Sequence, residues 1–301
     1  MMEGKAVLYK KFGNVDAIPI CLNTKNTEEI IKTIKILEPC FGGIHLEDIC
    51  SPKCFEIEKR LEEEMNIPVY HDDQHGTAIV VTAALINALK LVNKEMEQVK
   101  VVVNGPGASG TAIVKMLLVM GVKNIIVCDE FGTLYQGRNE AMLPHMSELA
   151  LLTNQERIKG PLERAIEGAD VFIGVSAGNV LMQEAVKSMN HDSIVFALAN
   201  PFPEISYESA IQAGVKVIGT GRSDYPNQIN NVLAFPGVLK GALQARARNI
   251  TYDMKVAAAY AISDLVTKEE LKPEYIIPSV FNPRVVENVA ERVAQSWKNR
   301  H

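Results

Sequence analysis

Short apolar runs alternate with longer amphipathic stretches along most of this chain. Isoleucines at helical spacing predict a helix over residues 27–37, and a charged amphipathic stretch predicts another over residues 54–65. Apolar runs at residues 41–46 and 67–70 predict strands, and residues 77–92 predict a long, largely buried helix. Beyond that helix the alternation becomes regular.

The remainder of the chain repeats a strand and helix pattern. Short apolar or β-branched runs predict strands at residues 99–103, 124–128, 170–174, 193–199 and 215–219. Helical periodicity predicts intervening helices at residues 112–120, 162–167 and 207–213, and closing helices at residues 237–247, 251–266 and 286–297. Such alternation is typical of parallel strands joined by right-handed crossovers. The pattern therefore predicts an α/β fold with a Rossmann-type doubly wound parallel sheet, followed by C-terminal helices.

The length and composition allow two domains. With 301 residues, of which 47% are hydrophobic, the chain can bury the core of one large or two ordinary domains. We expect a boundary near residue 75, where the long helix begins. Residues 1–74 would then form a smaller α/β unit, and residues 75–301 a dinucleotide-binding domain that includes the C-terminal helices.

Charge, hydropathy and cysteine use exclude several classes of protein. A net charge of −5 and a pI near 5.8 indicate neither nucleic acid nor an anionic membrane as partner, so small soluble ligands are favoured. The apolar run at residues 78–92 is shorter than the ~18 residues that a membrane-spanning helix needs. The first residues do not resemble a signal peptide, and we expect a cytoplasmic protein. The five cysteines lack C-x-x-C spacing, which indicates neither a disulfide framework nor a zinc site.

Two acidic clusters follow apolar runs, at residues 43–48 and 67–77. The carboxyl ends of neighbouring strands are where open α/β sheets bind ligands, so the two clusters should meet. Glu47, Asp48 and Asp73 supply the oxygen ligands that Mg²⁺ or Mn²⁺ prefers, although each could also be an ordinary surface acid. His71 and His75 could be ligands too, but we interpret them as structural or supporting residues, because carboxylates suffice for a hard cation.

A glycine loop follows the strand predicted at residues 99–103. It consists of Gly105, Pro106, Gly107, Ala108, Ser109 and Gly110. A lone G-x-G-x-x-G is weak evidence, but here a strand precedes it, an apolar helix follows it, and Asp129 ends the next strand near the expected spacing of ~20 residues. Asp129 should bind the ribose hydroxyls and repel a 2′-phosphate, which favours NAD over NADP. The alternatives are a tight turn without a nucleotide and a solvated acid at a strand end.

Several long motifs together resemble the small bacterial and archaeal form of malic enzyme. They are the motifs at residues 2–6 (Met-Glu-Gly-Lys-Ala), 42–48, 71–77, 196–201 (Phe-Ala-Leu-Ala-Asn-Pro) and 227–237. The resemblance extends over the whole chain. It implies oxidation and decarboxylation of malate to pyruvate and CO₂, with NAD or NADP and with Mg²⁺ or Mn²⁺. It also implies a homodimer for the complete protein, and makes residues 1–74 part of the substrate and metal domain.

The resemblance also implies roles for individual residues. Lys5 would be the general base, Asp72 a supporting catalytic acid, and Glu47, Asp48 and Asp73 the metal ligands. Asn200 and Asn231 would hold the malate carboxylate. The residues near the cofactor would be Thr77, Gly174, Val175 and Ser176. Two alternatives remain open: a malolactic reaction that releases lactate, and a non-catalytic NAD-binding fragment.

The chain departs from the family pattern at its beginning. In the family a longer segment precedes the position of Lys5 and carries a tyrosine that acts as general acid, and none of the eight tyrosines here stands in a matching motif. A truncated gene product, a misassigned start codon and an expression fragment all fit this departure. We therefore expect Lys5 to be exposed at an unpacked edge, and malate oxidation by these residues to be feeble.

Overall fold

A computed structural model describes residues 1–300, and its elements follow the predicted alternation. The helices are α1 (Met2–Leu8), α2 (Thr27–Leu37), α3 (Lys53–Glu64), α4 (Asp72–Val92), α5 (Ala108–Val119), α6 (Pro144–Leu152), α7 (Leu162–Ile166), α8 (Gln183–Val186), α9 (Tyr207–Gln212), α10 (Phe235–Gln244), α11 (Tyr252–Ser263) and α12 (Arg284–Lys298). The strands are β1 (Ile44–Leu46), β2 (Val69–His71), β3 (Lys100–Asn104), β4 (Asn124–Asp129), β5 (Gly132–Thr133), β6 (Val171–Gly174), β7 (Ile194–Ala197) and β8 (Val217–Thr220). A π-helical turn (Tyr9–Gly13) continues α1, and 3₁₀ turns lie at Glu38–Cys40 and Asn231–Leu233.

The larger sheet has six strands in the order β5-β4-β3-β6-β7-β8. Five of them are parallel, with Val102 of β3 paired to Ile126 of β4 and to Phe172 of β6. Strand order reverses between β3 and β6, which confirms the doubly wound α/β prediction. The edge strand β5 is antiparallel to β4 and was not predicted, because two residues after a tight turn leave no periodic signal.

Alternate residues of the sheet face two separate cores. Val101 and Val103 face the side covered by α4, α5 and the C-terminal helices, whereas Val102 faces the side that carries α7, α8 and α9. Both faces are therefore buried, as the continuous apolar runs indicated. The carboxyl end of the sheet remains the face on which a ligand can be held.

A second, smaller sheet lies in the N-terminal part of the chain. Its two strands are parallel, and the register places Leu46 of β1 opposite His71 of β2. Helices α2 and α3 cover it through a small core that includes Ile31, Ile57 and Leu61. Tyr70 of β2 instead belongs to the main core. The domain boundary near residue 75 stays a prediction.

Helix α4 differs from its predicted start. It begins at Asp72 rather than at residue 77, so the second acidic cluster lies on the first helical turn and not in a loop. The free N–H groups at the start of a helix stabilise carboxylates there. Asp72 and Asp73 therefore begin α4 instead of extending β2. At 21 residues α4 is long and apolar enough to cross a membrane, which corrects the length argument from sequence. Because 78% of an apolar stretch of 18 residues in α4 is buried inside the protein, α4 is a core helix of this fold.

Candidate active site

The predicted metal ligands lie close together. Glu47 and Asp48 follow β1, and Asp73 lies on the first turn of α4, directly after the neighbouring strand β2. One carboxylate oxygen from each of the three residues lies within 4.8 Å of the other two. The N–H of Asp48 also donates to Oδ2 of Asp73 over 3.1 Å. Three carboxylates directly after two paired strands fit a hard divalent cation such as Mg²⁺ or Mn²⁺.

Lys5 is buried beside this cluster, with 9% of its surface exposed. Its Nζ forms an ion pair with Asp72, lies 3.2 Å from Oε2 of Glu47, and stands 4.4 Å from the ring centroid of Phe235. The expectation of an exposed Lys5 was therefore wrong, because residues of α4 and α10 pack around α1 and enclose the amine. Burial alone would lower the pKa of Lys5, but Asp72 and Glu47 outweigh burial and raise this pKa.

Asp72 is completely buried and joins Lys5 to the C-terminal part of the chain. Burial raises the pKa of Asp72 to about 6, against the opposing effects of Lys5 and His45. Oδ2 of Asp72 accepts a hydrogen bond of 2.5 Å from Nδ2 of Asn231. Asn231 is thus at the cluster, whereas Asn200 lies exposed after β7, beside Gly221.

Tyr9 and His45 extend the polar cluster and were not identified from sequence. The hydroxyl of Tyr9 lies 2.7 Å from Nδ1 of His45, and Nε2 of His45 lies 2.7 Å from Oε2 of Glu47. Burial raises the pKa of Tyr9 well above its usual value. Tyr9 follows Lys5 by four residues, a spacing that places both side chains on one face of a continuous helix, so a helix over these residues could have indicated that Tyr9 lies near the site.

His71 and His75 support the start of α4. His75 Nε2 lies 2.9 Å from Oε1 of Glu58, and the same oxygen accepts the N–H of His71 over 3.0 Å. Nε2 of His75 also lies 3.2 Å from Nζ of Lys255. The ring of His71 is fully buried, and its Nε2 is 3.8 Å from Oδ2 of Asp73. Glu58 and Lys255 were missed from sequence, since no local motif marks them.

The glycine loop lies next to the carboxylate cluster. Ser109 donates a hydrogen bond of 2.7 Å to the carbonyl oxygen of Asp73, which fixes the start of α5 against the start of α4. At Gly110 a Cβ would lie 1.8 Å from the oxygen of Gly105, so only glycine allows this close turn. At Gly107 a Cβ would meet nothing within 4 Å, which leaves open space in front of the first N–H groups of α5. That space fits a pyrophosphate.

The cofactor residues predicted after β6 adjoin the same loop. A Cβ at Gly105 would lie 2.7 Å from the carbonyl oxygen of Val175, and Nδ2 of Asn104 donates 2.8 Å to Oγ of Ser176. Thr77 is half-buried on the second turn of α4. Val175 and Ser176 therefore lie at the carboxyl end of β3, where a dinucleotide would lie.

Asp129 ends β4 as predicted, but it has a partner that sequence reasoning missed. Its Oδ2 accepts a 2.7 Å hydrogen bond from Nη2 of Arg138, and its Oδ1 accepts the N–H of Phe131. Only 4% of the Arg138 side chain and 9% of the Asp129 side chain are exposed. Arg138 offsets part of the negative charge that should repel a 2′-phosphate.

The fold and site define a dinucleotide-binding α/β protein with a carboxylate cluster at the end of its glycine loop. The family model described as "Malic enzyme, NAD binding domain" matches residues 74–297. The chain belongs to the malic enzyme family. It is 57% identical over 296 residues to the NAD-dependent malic enzyme of Geobacillus stearothermophilus, and 55% identical over 296 residues to the bifunctional malic/malolactic enzyme of Bacillus subtilis.

A solved structure has the same fold over nearly all of this chain. The NAD-dependent malic enzyme of Thermotoga maritima superposes with a TM-score of 0.94 at 54% identity, over 97% of this chain and 77% of that one. The two curated relatives each match 98% of this chain. The chain spans 62% of the length of the Geobacillus protein and 72% of the Bacillus protein.

Proposed function

We propose that the protein oxidises and decarboxylates (S)-malate to pyruvate and CO₂, with NAD and with Mg²⁺ or Mn²⁺. The observation that carries this proposal is the buried Lys5, held between Asp72 and the carboxylate cluster directly beside the dinucleotide loop. The names of the relatives support the same reaction, two of them as NAD-dependent malic enzymes. A cytoplasmic homodimer for the complete protein is part of the proposal.

The carboxylate cluster would hold the divalent cation through Glu47, Asp48 and Asp73. A cation bound there would polarise the malate hydroxyl and stabilise negative charge on that oxygen. A cation on Glu47 would offset one of the two negative charges that raise the pKa of Lys5, which would lower this pKa. The neutral amine of Lys5, held in place by Asp72, would then accept the hydroxyl proton. Asn231 would orient a malate carboxylate next to Asp72.

The dinucleotide would bind across the carboxyl end of β3. The backbone from Gly105 to Gly110 would contact the pyrophosphate, and Asp129 the ribose. NAD held there would supply the acceptor for the hydride on C2 of malate. Val175 and Ser176, which adjoin Gly105 and Asn104, would lie on the nicotinamide side together with Thr77 of α4. Asn200 would approach the substrate from the end of β7.

A malolactic reaction is the second candidate function, favoured by the bifunctional name of the Bacillus relative. In that reaction lactate is the product and NAD is regenerated. A non-catalytic NAD-binding protein is the third reading, and it predicts nucleotide binding without any conversion of malate.

Product analysis tests these readings. The chain is incubated with malate, NAD and Mn²⁺, and NADH, pyruvate and lactate are quantified. We expect NADH and pyruvate in equal amounts, and a rate at least ~10²-fold lower in Lys5→Met. Lys10→Met is the matched control, because Lys10 is an exposed lysine just beyond the same helix. A Lys5→Met rate equal to that of the parent would contradict the proposed base.

A further inference from the structure

Glu204 is a fully buried carboxylate that contacts two predicted site loops at once. Oε1 accepts the N–H of Ser176 over 2.9 Å and lies 3.3 Å from its hydroxyl, in the loop after β6. Oε2 accepts the N–H of Ala199 over 3.1 Å, in the loop after β7. None of its surface is exposed to solvent. One side chain therefore joins the loop that carries Ser176 to the loop that carries Asn200.

The surrounding backbone is shaped for this carboxylate. A Cβ at Gly174 would lie 2.3 Å from Cδ of Glu204 and 2.6 Å from Oε1, so the acid occupies space that only a glycine leaves. The Glu204 backbone is itself fixed, because its carbonyl oxygen accepts the N–H of Leu181 over 2.9 Å. The N–H of Asn179 donates to the carbonyl oxygen of Pro203 over the same distance. Contacts of the Glu204 side chain and hydrogen bonds to the backbone at residues 203 and 204 together fix the position of the carboxylate.

The hydrogen bonds continue to the glycine loop. Nδ2 of Asn104, the last residue of β3, donates to Oγ of Ser176 over 2.8 Å, and the N–H of Val175 donates to the carbonyl oxygen of Asn104 over 2.9 Å. Asn104 immediately precedes Gly105. The chain of contacts from Asn104 through Ser176 and Glu204 to Ala199 therefore crosses the ends of three neighbouring parallel strands, β3, β6 and β7.

We propose that Glu204 is a positioning residue that holds the cofactor loop and the substrate loop at one fixed separation. The inference rests on the proposed function, because the roles of Ser176 and Asn200 belong to that proposal. Hydride transfer requires the two reacting carbons to be held in a narrow range of distance and angle. A single buried acid that fixes both loops restricts that range without touching malate or NAD.

Glu204→Gln tests this role with little change in size. The amide keeps one oxygen acceptor, but its NH₂ group faces a backbone N–H, so one of the two loops loses its hydrogen bond. Glu204→Asp is the second variant: it keeps the charge and withdraws the carboxylate by one methylene. Glu208→Gln is the matched control, since it removes the same charge from an exposed acid four residues along the chain.

Amide hydrogen exchange and NADH affinity are measured on the whole chain. In Glu204→Gln and Glu204→Asp we expect faster exchange at residues 174–178 and 198–202, unchanged exchange at residues 100–103, and NADH binding weaker by ~10-fold or more, the effect of one buried hydrogen bond left unmade. Glu208→Gln should match the parent in both measurements. Faster exchange over the entire sheet would indicate a general role in stability and would overturn the inference, as would unchanged exchange in both loops.

The two proposals fail in different ways. If the parent chain binds NADH but converts no malate, the proposed function is wrong, while loop exchange still decides whether Glu204 holds the two loops. If malate is converted and Glu204→Gln retains parent exchange and parent NADH affinity, the proposed function stands and the role of Glu204 is wrong.

Discussion

Asp129→Ser should reverse the coenzyme preference of this protein. The proposed cofactor position would bring the ribose 2′ oxygen close to Asp129, so a phosphate on that oxygen would be repelled. The repulsion is weakened by Arg138, whose Nη2 is 2.7 Å from Oδ2 of Asp129. In the variant the acid is absent, and the guanidinium becomes available to a phosphate.

The magnitude follows from the two charges. Like charges ~4 Å apart repel by about 4 kcal/mol at an effective dielectric constant of ~20, and the neighbouring arginine offsets much of this. We therefore expect the parent to prefer NAD by roughly 10-fold, or about 1.4 kcal/mol. In Asp129→Ser the repulsion disappears, and a charge-assisted hydrogen bond from Arg138 to the phosphate contributes about 1.5–3 kcal/mol, so NADP should become preferred. Arg138 should keep its place, because Gly132, Thr133 and Glu140 accept hydrogen bonds from it through their carbonyl oxygens.

Calorimetric titration of parent and variant with NAD and NADP measures the ratio of the two dissociation constants. Glu130→Ser is the matched control, because it removes the same charge from the next residue, whose side chain is exposed. The control should keep the parent ratio. An unchanged ratio in Asp129→Ser, or NADP preferred by the parent, would refute the reasoning.

The other predictions concern the metal cluster, the glycine loop and the buried ion pair. Asp73→Asn should weaken Mn²⁺ binding at least ~10-fold in calorimetry with NAD affinity unchanged, and equal Mn²⁺ affinity would contradict the ligand assignment. Gly107→Ala should leave the urea midpoint unchanged yet weaken NAD binding, because its methyl group enters the open pyrophosphate space; unchanged NAD affinity would count against that position. Asp72→Ala should lower the free energy of unfolding by about 3–5 kcal/mol, because Lys5 stays buried without its main partner. Asp16→Ala, at an exposed ion pair, is the control and should cost less than about 1 kcal/mol. Similar losses in the two variants would disprove a special role for the buried pair.

The sheet and the placement of the site could be predicted because both depend on local pattern. Continuous apolar runs such as residues 99–103 indicated strands buried on both faces, and the position of Gly105 to Gly110 after one of them indicated a nucleotide loop. The rule that parallel strands present their carboxyl ends together brought Glu47 and Asp73 to one edge, although they lie 26 residues apart in the chain.

The partners of the site residues could not be predicted, because they come from distant parts of the chain. Asn231 reaches Asp72 from 159 residues away. Arg138 is only nine residues from Asp129, but the contact depends on the turn through the unpredicted strand β5. The burial of Lys5 was missed for the same reason: the ring of Phe235 that covers it lies on α10. Periodicity indicates which face of an element is buried, but not which side chain of another element meets it.

The most direct test of the proposed function follows a labelled hydrogen. Malate that carries deuterium on C2 is incubated with the chain, NAD and Mn²⁺, and the nicotinamide ring is analysed by mass spectrometry after a single turnover or many. We predict that deuterium from C2 appears on the reduced nicotinamide in an amount equal to the pyruvate formed, and that Lys5→Met loses both signals together. The proposal would be contradicted if malate were consumed and no deuterium appeared on NADH, bound or released, or on a reduced product. It would also be contradicted if NAD bound and malate were left intact.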